Sequence, residues 1–161
     1  MSGAAFRLRR APRLPRRLAR LDVRAVAWMG VWLLVLPVLI RLVPLPRLAS
    51  IVTPRRISRR LAAARLDGRT LAAWADALMR RRPFGGRNVC WKRAFVVYRL
   101  LRLAGAPAAV CFGVRRAADG ALAGHAWVEV DRVPVPAGDG AGFAKTFSYP
   151  DASAPRAGAR R

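Results

Sequence analysis

A chain of 161 residues suits one domain, or one domain with an appendage. It is 54% hydrophobic, so a sizeable core can form, and it carries 31 basic against 8 acidic residues for a net charge of +23. All but two of the basic residues are arginine, a bias that favours anions in general without naming a partner.

Residues 1–24 form a basic arm with Pro12 and Pro15, read as a solvated tail. Ala25 to Ile40 then carries no charge, but it is short for a membrane span and holds Pro37. A helix buried against the domain or a partner is the first reading of this segment. A helix at a membrane surface, between its flanking arginines, and a signal-peptide core are the alternatives.

Val43 to Pro54 reads as a connector, although Leu45, Leu48, Ile51 and Val52 could pack as a short turn. A helix is expected from Thr53-Pro54, with Ile57, Leu61, Ala64 and Leu66 on one face. Asp67-Gly68 breaks it, and Thr70 caps a further helix facing inward with Leu71, Trp74, Ala75 and Leu78.

After Cys90, the residues Ala94, Val97, Tyr98, Leu101 and Ala104 recur at helical intervals until Gly105 and Pro107 end the run. Strands are expected over 109–114 and 122–130, around a turn at Asp119-Gly120. Asp131-Arg132 makes a reversal before a short strand over 133–135. Gly138 to Gly142 is a loop, 145–149 a last strand, and 151–161 a disordered basic tail. The domain division is therefore 1–52 for the arm and apolar helix, 53–150 for the folded domain, and 151–161 for the tail.

The chemistry concentrates between Cys90 and His125, the latter the sole histidine. A helix N-terminus presents unpaired N–H groups and partial positive charge, which favour a thiolate and can hold an oxyanion. Cys90 is the candidate nucleophile and His125 the candidate base. Glu129 shares the histidine's strand face but lies about 13 Å along it, and Asp131 sits in the reversal. Asp139, able to fold back toward His125, is the preferred third residue. The competing reading is a buried structural cysteine with a satisfied histidine. Cys111 reads as a core strand residue. Cys90, Cys111 and His125 lack the paired spacings of a zinc site, no phosphate-binding glycine loop is visible, and neither metal nor cofactor is expected. With no secretory context and two cysteines, a cytoplasmic setting is expected, with membrane contact through the apolar helix as the alternative to its burial.

The wording of this stretch is more specific than its spacing. Cys90-Trp-Lys-Arg93-Ala, Tyr98-Arg-Leu-Leu-Arg102, Gly105-Ala-Pro-Ala108, Phe112-Gly-Val-Arg115 and Gly124-His-Ala-Trp-Val-Glu129 together resemble the transglutaminase-like superfamily. The nearest likeness is to the leader peptidases of lasso-peptide biosynthesis. The resemblance implies an α+β, papain-like fold with the nucleophile helix packed on a small antiparallel sheet. It implies a cysteine protease that removes the leader from a ribosomally made precursor peptide, aided by a separate leader-recognition protein and followed by a cyclase. By motif, Cys90 is the nucleophile and His125 the base. Members of this group usually carry the third residue, an aspartate, on the strand after the histidine, but here that strand reads Val133-Pro-Val-Pro136. A transglutaminase-like acyltransferase is the neighbouring alternative. A non-catalytic basic module for membrane or nucleic acid is the distant one, with nucleic acid disfavoured because no binding motif accompanies the arm.

Overall fold

A computed structural model of the chain describes residues 16–63, 67–84, 90–136 and 138–150. The side chains of residues 16–22 and 63 are outside that description, as are the terminal tail and the positions Ala64 and Leu66 assigned above to a helix face. Five helices precede a four-stranded antiparallel sheet: α1 (Arg16–Leu42), α2 (Leu45–Val52), α3 (Arg59–Ala63), α4 (Gly68–Met79), α5 (Cys90–Leu103), then β1 (Ala108–Arg116), β2 (Leu122–Val130), β3 (Val133–Val135) and β4 (Ala144–Tyr149). The strand order is β3-β2-β1-β4. This is the α+β architecture expected, with α5 packed against β1 and β2 and α1 and α4 packed around α5.

The central helix owes its place to its apolar content. Phe95 and Tyr98 are fully buried, and Ala94, Val96, Val97, Leu100 and Leu101 nearly so. They meet Ala108 and Val110 of β1 and Ala126 and Val128 of β2 in one core. Burying each such aliphatic or aromatic side chain contributes roughly 1.5–3 kcal/mol. Gly105, at φ +85°, then turns the chain out of the helix in a conformation that side-chain-bearing residues disfavour.

The apolar N-terminal segment is part of this core on one side only. Ala25, Met29, Leu33 and Leu36 are buried, whereas Trp28, Val31, Leu34 and Val38 are exposed. Arg99 of α5 stacks its guanidinium over Trp32, 4.3 Å from the ring centre, and donates a hydrogen bond to the Val52 carbonyl. One side chain thereby ties α1, α2 and α5 together. Thr53 and Tyr98 make a second tie. The Thr53 hydroxyl donates to the Ala49 carbonyl at 2.7 Å, so in the 2.6 Å contact between the two hydroxyls Tyr98 is the donor.

Four expectations about the helices need correction. The basic arm read as a solvated tail is helical from Arg16 onward, continuous with the apolar segment through Pro37 to Leu42, while its residues 1–15 lie outside the described residues. The expected connector over 43–54 contains a helix, because Pro44 is its N-cap and Pro46 falls in its first turn, where a missing N–H costs nothing. Thr53 closes that helix instead of opening the next; α3 begins at Arg59, and Ile57 is 63% exposed instead of facing inward. Thr70 does not cap α4. Asp67 does, its carboxylate accepting from the Arg69 and Thr70 amides while the Thr70 hydroxyl donates to its other oxygen. Burial alone would raise the Asp67 carboxyl, but the bonds from Thr70 and Arg69 outweigh it and hold it below its ordinary value.

The sheet follows its alternation closely. Asp131 and Arg132 both take positive φ, 50° and 68°, as a two-residue hairpin between β2 and β3 requires. Along β2, Ala126 and Val128 join the helix-backed core, which leaves His125, Trp127 and Glu129 on the alternate positions. Their partners across β1 are Gly113, Cys111 and Ala109.

Candidate active site

Cys90 is the first residue of α5 and is half-buried, its side chain packed at the edge of the core. Arg93 follows one helical turn later, on the same face. Its Nη1 donates to Asp139 Oδ2 at 3.0 Å, and its Nε lies 3.2 Å from Asp76 Oδ1 of α4. The Nε–H is not aimed at an acceptor, so the Asp76 contact is an attraction between charges, while the Asp139 contact is also a directed bond.

Asp139 turns its other oxygen to the histidine. His125 Nε2 and Asp139 Oδ1 are 2.7 Å apart, with 22% and 13% of their side chains exposed. An ionised carboxylate can only accept, so Nε2 carries the proton and donates it. In the neutral imidazole the lone pair is then left on Nδ1. Aromatic rings confine the imidazole from its faces: Trp127 is nearly parallel at 6.2 Å and Phe143 is tilted at 5.0 Å. Arg115 lies over the Phe143 ring, 4.7 Å from its centre.

Two glycines make room for this packing. A side chain at Gly113, opposite His125 in the register, would meet the Ala144 carbonyl at 2.6 Å and the Trp127 ring at 2.9 Å. At Gly140, one residue beyond Asp139, φ is +77° and a side chain would lie 2.6 Å from the indole.

Of the carboxylates weighed from the sequence, Asp139 is the one in contact with His125. Glu129 is engaged elsewhere: it is buried and accepts from Trp127 Nε1 at 3.0 Å and from Lys145 Nζ at 2.6 Å. Asp131 lies exposed in the hairpin. Cys111 is fully buried, 3.9 Å from the Ser148 hydroxyl. Burial, reinforced by the nearby Glu129 charge, pushes its thiol up to about 11. Both cysteines are free thiols. Among the described residues, no three His, Cys, Asp or Glu side chains gather as a metal-binding group.

Sequence reasoning did not single out Arg93, Asp76 or Phe143 for a part in the site. Arg93 carried a signal in its spacing, three residues after the cysteine at the start of a helix. Asp76 and Phe143 carried none, because α4 and the turn before β4 meet the others only through the fold.

In chemical terms, the first turn of α5 is joined to the imidazole through an Arg93–Asp139–His125 chain. Such an arrangement supplies an oriented base and, one turn before Arg93, a thiol at a helix start, the part list of cysteine-dependent acyl transfer. Among the described residues the link runs only through Arg93 and Asp139, and no hydrogen bond joins Cys90 itself to His125. Comparison with curated proteins and with solved structures returns no match for the chain. Its residues 31–148, from within α1 to within β4, match the family described as the transglutaminase-like superfamily, and over that span, well beyond half its length, the chain belongs to this superfamily.

Proposed function

We propose that the protein is a cysteine peptidase that removes the leader from a ribosomally synthesised precursor peptide, with Cys90 as nucleophile, His125 as general base and acid, and Asp139 as the residue that orients the imidazole. The observation that carries this reading is the 2.7 Å contact between His125 and an Asp139 that also binds the arginine one turn from Cys90. Nδ1 takes the thiol proton as sulfur attacks the scissile carbonyl, and the N–H groups at the start of α5 hold the oxyanion. The imidazolium then protonates the departing amine, leaving a thioester that water, deprotonated by the same nitrogen, hydrolyses. The leader substrate rests on the likeness of residues 88–130 to lasso-peptide leader peptidases. A separate protein would present the leader, and an amide-forming cyclase would consume the freed core.

The test is to incubate the full-length protein with a leader-bearing precursor and a leader-recognition protein, and to weigh the products. Hydrolysis adds one water across the cut, whereas transfer to an amine expels the leader with no water gained and identifies an acyltransferase. Cys90→Ala and His125→Ala are each expected to abolish cleavage with an unchanged circular dichroism spectrum. Cleavage retained by either variant rejects the mechanism.

A further inference from the structure

Helix α1 has two apolar faces, and only one of them is used by the core. With 3.6 residues per turn, Ala25, Met29, Leu33 and Leu36 fall in an arc of about 80°, and all four are buried. Val23, Trp28, Val31, Leu34, Val38 and Leu42 fall in a separate arc of about 140° on the other side, and they are between 48% and 72% exposed. Exposed apolar surface of this extent on one helix marks a contact site.

Charge identifies the occupant. From Val23 to Leu66 the sequence holds eight arginines and no acidic residue. Arg24 and Arg41 lie in the outward arc of α1, about 25 Å apart along its axis, and Arg47 projects from α2; all three are exposed. A second copy of this face would bring cations against cations. A nucleic acid would match the charge but leave the tryptophan and aliphatic side chains in water. An anionic lipid surface satisfies both, with apolar side chains in the acyl boundary and guanidinium groups among the phosphates.

We infer that the outward face of α1 docks this protein on anionic phospholipid bilayers, with the helix lying in the plane of the surface. The 20-residue segment Val23–Leu42 has the length and mean hydropathy, 2.1, to cross a membrane. Crossing would draw Met29, Leu33 and Leu36 out of the core they complete, so the folded protein binds by the outward face instead. The inference does not depend on the reaction proposed for Cys90.

Vesicle flotation of the full-length protein tests it, using phosphatidylcholine vesicles with and without 30% phosphatidylglycerol. Flotation is expected with the anionic vesicles and at least ten-fold less with the neutral ones. Each arginine at an anionic surface strengthens binding about five-fold, so Arg24→Gln with Arg41→Gln should weaken it roughly 25-fold. Val31→Ser, Leu34→Ser and Val38→Ser together should abolish flotation with an unchanged melting temperature. If that variant fails to fold, quenching by brominated lipid, measured on the wild type and on Trp28→Phe, reports whether Trp28 enters the acyl region. Equal flotation on neutral vesicles, flotation of the folded triple-serine variant, an unquenched Trp28, resistance to alkaline extraction, or self-association without vesicle binding would each overturn the inference.

Discussion

His125 and Asp139 are fourteen residues apart in sequence, and their side chains meet at 2.7 Å because the chain reverses twice between them, at the β2–β3 hairpin and in the turn after β3. The contact fixes which imidazole nitrogen is protonated. Asp139→Ala should therefore lower kcat by about 10³- to 10⁴-fold with little change in KM, the size of loss seen when a triad carboxylate is removed. Steady-state kinetics on the precursor measures it. A loss confined to KM would show that Asp139 serves substrate binding instead.

Arg93 is expected to act through Asp139. It faces two carboxylates and holds one of them by a directed bond. Arg93→Met should lower kcat about 10- to 100-fold, in keeping with the effect of displaced positioning groups. Arg93→Lys, which keeps the charge but loses the planar fork, should recover part of it. Equal kcat in Arg93→Met and wild type would remove Arg93 from the mechanism.

Much of the sheet was legible in the sequence, because a period of two over 122–130 and a two-residue reversal leave few alternatives. The central helix was legible for the same reason, its stripe running from Ala94 to Leu101. The N-terminal helices were less so: Pro44 and Pro46 look like breakers, yet they sit where a helix tolerates proline, and only the cap geometry separates those cases. Within the site, the partner of His125 could be narrowed to a few carboxylates by strand arithmetic. The choice of Asp139 depended on how the 138–143 turn curls, which depends on the fit of Gly140 against Trp127 and has no periodic signature.

The two thiols should differ sharply in reactivity. Cys111 is buried and its thiol is pushed up to about 11, so at about pH 8 roughly one molecule in a thousand carries the thiolate. Iodoacetamide should label Cys90 and spare Cys111 until the protein is unfolded, with peptide mass mapping as the readout. Cys111→Val should retain activity, whereas labelling of Cys90 should remove it.

Glu129 and Lys145 give the fold a pH dependence of defined sign. Burial would raise the Glu129 carboxyl, but the bonds from Lys145 and Trp127 outweigh it and leave it below its ordinary value of 4.5. Its contribution to stability is thus fully present above 4.5 and is lost as pH falls through the lower folded-state value. Lys145 shifts the opposite way: burial would lower its ammonium, yet the bond to Glu129 outweighs this and raises it above 10.5, so its contribution disappears only as pH rises beyond that. Lys145 is 39% exposed, and solvent screens the pair from that side. Thermal unfolding followed between about pH 6 and 3 should show a drop that flattens in Glu129→Gln. At neutral pH, Lys145→Met should cost about 1–3 kcal/mol, because it leaves a buried carboxylate short of a donor.

Gly140 tests the link between packing and site without touching the candidate nucleophile or base. Its φ of +77° is a conformation alanine resists, and a methyl group there would lie 2.6 Å from the Trp127 ring. Gly140→Ala should lower stability by about 1–3 kcal/mol through backbone strain. It should also shift Asp139, its immediate neighbour, away from His125. The expected signature is a fall in kcat larger than the stability loss explains, measured at a temperature where the variant remains folded, together with a weakened Nε2–H resonance of His125. Ala141→Gly, in the same turn at an exposed position, is the control that should leave kcat unchanged. If Gly140→Ala loses stability but keeps full kcat, the turn fixes the fold alone, and the placement of Asp139 does not limit the reaction.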